Sequence, residues 1–174
     1  MILSVVPTAG FRPILQSLKQ LNCKLPIIWA HKGLEPQSAQ LPYEVALEEL
    51  GNEQKWGALS GPSFAAELVR GLPTAVTLAA NDEAFSNEAA LLIHGNNLRV
   101  YHSTDVVGVS VGGAVKNVMA IAAGISDGMG FGNNARAAMI TRGLAEITRF
   151  GLALGATTET FMGLAGSGDL ILTC

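Results

Sequence analysis

Four places in the sequence carry groups that could do chemistry. The first is Lys116, the one charge between Asp105 and Asp127. It sits in "VGVSVGGAVKNVMAIAAGISDGMG", Val107 to Gly130, a run of Val, Ala, Ile, Met and Gly. On a helix turning about 100° per residue, its face holds Val109, Gly112, Gly113, Ala120, Ala123, Gly124 and Asp127. So small a stripe lets something come close. Either another helix packs there and the ammonium snorkels to its edge, or the stripe lines a ligand cleft with the ammonium pointing in. In the second case desolvation favours the neutral amine, and a lysine poised in that way serves as general acid and base. Asn117 follows about 100° round the helix, where its amide either supports the site or packs.

The second is Lys32, in "IIWAHKGL", just past the carboxyl end of a β-rich run. Open α/β sheets bind ligands there; a solvated loop lysine is the alternative, and His31 beside it reads as an ordinary loop histidine. The third is "SGPSF", Ser60 to Phe64, a strand–turn–helix junction. Its free N–H groups favour an anion, Gly61 permits close backbone approach, and the Ser63 hydroxyl can donate. With Pro62 at the first helical position it is equally a plain helix start. The fourth is Asp169 in "AGSGDLIL", after Gly166 and Gly168, either an N-cap or a carboxylate pairing with a site lysine. Arg142, Glu146 and Arg149 read as a surface ion-pair ladder.

These groups need a scaffold, and its texture changes near residue 104. Before it, short apolar runs alternate with helical spacing. "ILSVVP", "LPIIWA", "WGALS", "TAVTLAA" and "LRVYHS" read as strands. Between them, Phe11, Ile14, Leu15, Leu18 and Leu21 repeat at helical spacing, "YEVALEEL" is a short helix, Pro62 opens "PSFAAELVRG", and Asn81 or Asp82 caps a helix from about Glu83 to Ile93. Such alternation predicts an α/β sheet, at least partly parallel. After Ser103 the pattern is all-helical. Thr104 or Asp105 caps the long helix around Lys116, a second runs from about Asn133 to Leu154 with Gly155 in the C′ role, and Thr157 or Thr158 caps a short third. The expectation is α/β plus all-α: residues 1–104 in a partial Rossmann-like parallel sheet, residues 105–174 in a helical substrate domain.

Composition narrows the function classes. The chain has 174 residues, 49% hydrophobic and 14% charged, enough for a packed core and unlike a disordered chain. A net charge of −3 without a Lys/Arg run leaves no electrostatic footprint for nucleic acid. Cys23 and Cys174 form no zinc or disulfide spacing, so no metal is expected and the compartment reads as reducing cytoplasm. No signal peptide is read at the N-terminus. Val106 to Ile125 is long enough to span a bilayer, but Lys116 at its centre costs roughly 2.5–3.5 kcal/mol there, which argues against a span. No G-x-G-x-x-G follows a strand, so the dinucleotide fingerprint is absent.

Taken in order, "KGL", "GPSFAAE…GLPTAV", "VGGAVKNVMAIAAGISDGMGFGNNARAAMITRGLAEITR" and "TFMGLAGSGDL" resemble the bacterial NAD(P)-dependent glycerol-3-phosphate dehydrogenases over nearly the whole chain. The resemblance implies interconversion of dihydroxyacetone phosphate and sn-glycerol 3-phosphate with NAD or NADP, feeding phospholipid synthesis. It implies that Lys116 is the catalytic acid/base and a substrate contact, and that Lys32 touches both cofactor and substrate. It further implies that Gly61, Ser63, Asn117 and Asp169 contact or border substrate, and that Ala65 lies at the cofactor. The family's glycine-rich loop and its Arg-Asn phosphate grip have no counterpart in the sequence. The chain is therefore expected to be a middle fragment, inactive alone and self-associating as a dimer or larger assembly. A 6-phosphogluconate-type β-hydroxyacid dehydrogenase also places a lysine on a Gly-rich helix, but with Asn four residues later, where this chain has Ala120. A non-catalytic associating fragment is the third reading.

Overall fold

The apolar runs read as strands all enter one sheet. In the computed structural model, which describes residues 1–174, β1 (Ile2–Ser4), β2 (Ile27–Trp29), β3 (Trp56–Ser60), β4 (Thr74–Ala80) and β5 (Leu98–Ser103) lie side by side in sequence order. β1, β2 and β3 are parallel, with Ile2 opposite Ile27 and Ile28 opposite Gly57. β4 and β5 are parallel to each other, with Val76 opposite Val100. The two blocks meet antiparallel, Leu59 opposite Leu78, so the sheet is partly parallel, as expected, with one antiparallel junction.

The reason lies between β3 and β4. A parallel crossover must carry the chain back along the whole strand. The only helix available there is α3 (Ala65–Val69). Five helical residues advance about 7.5 Å, while five strand residues cover about 16 Å. The chain therefore turns back at the end where β3 finished. α3 also starts later than Pro62: Gly61 leaves the strand at φ +148, and Phe64 is still extended as the N-cap. Pro62 belongs to the turn, not to the helix.

Helices cover both faces. α1 (Phe11–Gln20) and α2 (Pro42–Leu50) bury Phe11, Leu15, Val45 and Ala46 against Ile27, Trp29, Trp56 and Ala58. On the other face, α4 (Glu83–Ile93) buries Phe85, Ala89 and Ala90 against Ile28, Val76, Leu78 and Val100. All three β2 side chains are buried, as expected of a parallel strand covered on both sides. Asp82 caps α4, accepting from the Phe85 N–H at 2.7 Å.

The helical half is α5 (Val106–Gly128), α6 (Gly132–Ala153), α7 (Thr158–Met162) and α8 (Asp169–Thr173). Between α7 and α8, Leu164–Gly168 forms a wide π-type turn. α5 serves two cores. Val106 and Val109 join the sheet cluster with Trp29 and Trp56, while Val111 and Ala114 pack with Ile147, Phe161 and Leu170. Although α5 is long and apolar enough to cross a membrane, half of its most apolar stretch is buried within the fold. Asp105 fixes its start. One carboxylate oxygen caps the Gly108 N–H at 2.7 Å; the other accepts from Thr157 N–H at 2.9 Å and the Thr160 hydroxyl at 2.5 Å. One side chain thereby ties the first turns of α5 and α7 together.

Candidate active site

The carboxyl ends of β2 and β3 point at the middle of α5, and all four chemical groups meet there. Lys32 follows β2, Gly61 follows β3, and Lys116 projects from α5. Asp169 arrives from the first residue of α8. Its side chain, 2% exposed, accepts from Lys116 Nζ at 2.6 Å on one carboxylate oxygen and from Lys32 Nζ on the other. Lys32 also donates to the Gly61 carbonyl at 3.2 Å. A buried carboxylate is tolerable only when paired and hydrogen-bonded, and this one has two cationic partners. The centre as a whole therefore carries a net positive charge.

Glycines on α5 allow this convergence. A Cβ on Gly112 would lie 2.5 Å from the Ala165 carbonyl oxygen, and one on Gly113 would lie 3.2 Å from Lys32 Cγ. The small-residue stripe is thus not an empty cleft at this level. Its amino-terminal half is filled by the π-type turn and by the Lys32 stem, which brings both to the Lys116 ammonium. Around Gly124 the same stripe is open.

Two further groups were not foreseen. The Thr173 hydroxyl accepts from Lys116 Nζ at 3.0 Å and donates to the Asp169 carbonyl at 2.6 Å. The signal was available: Thr173 stands four residues after Asp169, one turn along the same helix. Ser60 Oγ, buried, lies 3.5 Å from the second Asp169 oxygen, at the limit of hydrogen-bonding range. Ser63 reaches the centre only indirectly, donating to the Gly61 carbonyl at 3.0 Å. Asn117 is exposed beside Lys116, and Ala65 is exposed in the first turn of α3. Neither enters the ion-pair cluster.

Burial lowers the pKa of Lys32; Asp169 opposes that shift and the neighbouring Lys116 adds to it. His31 is more deeply affected. Its ring stands edge-on to Phe11 with centroids 4.5 Å apart, and both ring nitrogens are buried without partners. Burial pulls it down to about 4, so it is a neutral packing residue at pH 7. Two clefts of about 660 and 690 Å³ lie at the amino ends of β2 and β3 and beside Arg12; neither includes Lys32, Lys116 or Asp169.

Two family models match this chain, one toward each end. The N-terminal model of NAD-dependent glycerol-3-phosphate dehydrogenase matches residues 1–86, and the C-terminal model of the same family matches residues 105–174. The chain belongs to the NAD-dependent glycerol-3-phosphate dehydrogenase family. Among its relatives, the glycerol-3-phosphate dehydrogenase [NAD(P)+] of Methylobacillus flagellatus is 70% identical over 174 residues, covering 100% of this chain and 53% of the relative. That of Dechloromonas aromatica is 59% identical, with 100% and 53% covered. The chain thus spans about half the length of the curated relatives it matches. Among solved structures, the Coxiella burnetii glycerol-3-phosphate dehydrogenase superposes with a TM-score of 0.92 at 48% identity, covering 99% of this chain and 53% of that one. The Saccharomyces cerevisiae enzyme gives 0.87 at 32% identity, covering 100% and 54%.

Proposed function

We propose that this chain supplies the proton-transfer centre of a dehydrogenase interconverting dihydroxyacetone phosphate and sn-glycerol 3-phosphate with NAD(P)H, in the cytoplasm and toward glycerophospholipid synthesis. The observation that carries this reading is the buried Lys32–Asp169–Lys116 bridge. When bound, the nicotinamide supplies or accepts the hydride. The protein must then handle one proton at the substrate's C2 oxygen.

Lys116 is the group for that proton. Asp169 and Thr173 take two of its three N–H directions, leaving one for a substrate oxygen. In the reducing direction it donates to the alkoxide forming at C2; in the oxidising direction the neutral amine takes the hydroxyl proton back. Lys32 shares the same carboxylate and adds a second positive charge, which favours a phosphorylated substrate and the developing negative oxygen. Lys32, Gly61 and Ala65 all lie at or beyond the carboxyl ends of β2 and β3, where an α/β sheet receives a cofactor. These positions fit the nicotinamide end of the dinucleotide. On this reading residues 1–104 form the cofactor side and residues 105–174 the substrate side, with Asp169 bridging them.

The test is a chimera in which this chain replaces the matching 174-residue stretch of the Methylobacillus flagellatus relative. Lys116→Ala should lower kcat for dihydroxyacetone phosphate reduction by about 10²–10⁴-fold. Lys116→Arg should not restore it, because a guanidinium keeps its proton near neutral pH. A near-wild-type rate in either variant would remove Lys116 from the proton step.

A further inference from the structure

Lys32 reaches a carboxylate 137 residues away in sequence, yet it sits in a stretch without helix or strand, between Trp29 and Pro42. Something must hold that stretch. On its amino side the Thr8 hydroxyl donates to the Lys32 carbonyl at 3.1 Å. On its carboxyl side the loop is closed by Ala39 N–H to the Glu35 carbonyl at 2.8 Å and Glu35 N–H to the Gln40 carbonyl at 2.9 Å. Glu35 is the pivot of that closure, and it is 6% exposed despite being a carboxylate.

Its charge is met by Arg12 on α1. Arg12 Nε donates to Glu35 Oε1 at 2.9 Å, and a terminal nitrogen donates to Oε2 at 3.0 Å, a two-pronged grip. The same guanidinium reaches Gln40 in the loop at 2.6 Å and Glu49 on α2 at 2.8 Å. Ser38 donates to Glu35 from within the loop at 2.5 Å. One side chain therefore binds the loop at two points and anchors it to α1 and α2, the helices that cover one face of the sheet. Both carboxylate oxygens of Glu35 are held, so the backbone three residues after Lys32 is fixed in position and direction.

We propose that Arg12, through Glu35, is the positioning residue for Lys32: it holds the loop so that the Lys32 ammonium meets Asp169. The proposal gives a purpose to a cluster remote from Lys116, and its functional meaning rests on the role assigned to Lys32 above. The geometry also specifies which partner matters. Glu35 lies in the Lys32 loop, whereas Glu49 lies on α2, so removing their charges separates loop positioning from general helix packing.

The test is competitive acetylation of the chain, with lysine modification read by mass spectrometry at Lys32 and Lys116 separately. Glu35→Gln and Arg12→Leu should raise the Lys32 rate by about tenfold, as the local opening of a loop that has lost its charged anchor. Lys116 should change little, because Asp169 and Thr173 still hold it. Glu49→Gln should leave both rates near wild type. An unchanged Lys32 rate in Glu35→Gln overturns the proposal. So does an equal rise at Lys32 and Lys116, or an equal rise of Lys32 in Glu35→Gln and Glu49→Gln, since either marks general loosening. Because the readout is amine reactivity, it is decided independently of whether the Lys116 variants of the chimera lose activity.

Discussion

Lys116 and Lys32 hold opposite oxygens of one carboxylate, that of Asp169, and they reach it from a helix and from a loop. The side chains of Lys32, Lys116 and Asp169 are 19%, 10% and 2% exposed, so the bridge is largely withdrawn from water. The arrangement brings the carboxyl end of the sheet, the middle of α5 and the start of α8 to one point.

Breaking that bridge at its centre should cost stability. Asp169→Asn leaves two ammonium groups sharing a neutral amide, and stranding buried charges in this way costs about 3 kcal/mol. Adding Lys32→Met to Asp169→Asn removes one stranded charge and should recover about 1 kcal/mol or more. Urea unfolding of the three proteins measures both. A double variant no more stable than Asp169→Asn would mean that Lys32 is solvated well enough to need no partner.

His31 should make stability depend on acid. Its folded pKa is about 4 against an ordinary 6.5. Between those values the unfolded chain binds the proton and the folded one does not, so stability falls as pH drops from about 6.5 toward about 4. Above that window the contribution is fully present. His31→Phe keeps an aromatic ring against Phe11 and removes the titration. Urea midpoints at several pH values should therefore fall less steeply for the variant; parallel curves would refute the assignment.

Asp105 should act on both helices it touches. Asp105→Ala removes the α5 cap and the acceptor for Thr157 and Thr160 together. A lost cap costs about 1 kcal/mol and the orphaned donors add a comparable amount, giving about 2 kcal/mol in total. Thr160→Val, which removes one donor, should cost about 1 kcal/mol. Thermal unfolding of both variants checks the order; equal losses would mean that the cap contributes nothing.

Much of the scaffold is legible in the sequence. Trp56–Ser60, Thr74–Ala80 and Leu98–Ser103 are strands at the expected bounds, because β-rich runs flanked by breakers leave little choice. The caps of α4 and α5 are each legible to within two neighbours, Asn81 or Asp82 and Thr104 or Asp105, and the structure picks Asp82 and Asp105. The Arg142–Glu146–Arg149 ladder also forms, since helical spacing alone brings those groups together. Leu21 falls outside the apolar face read for α1: it lies past the helix end and is exposed. Spacing marks a helical face but not the residue at which the helix stops.

The sequence by itself determined which residues could do chemistry, which segments are helical or extended, and the family they resemble. Local spacing, capping and motif order carry that information over a few residues at a time. Only the tertiary structure decided that Lys32 and Lys116 share Asp169, that Thr173 and Ser60 border them, that Asn117 stands outside, and that β4 runs against β3. The shared carboxylate, the Ser60 contact and the strand pairing depend on contacts between segments far apart in the chain. Such contacts are set by how the sheet and helices bury their apolar faces together, and a pattern of neighbouring residues does not encode which oxygen an ammonium will find at the end of that packing.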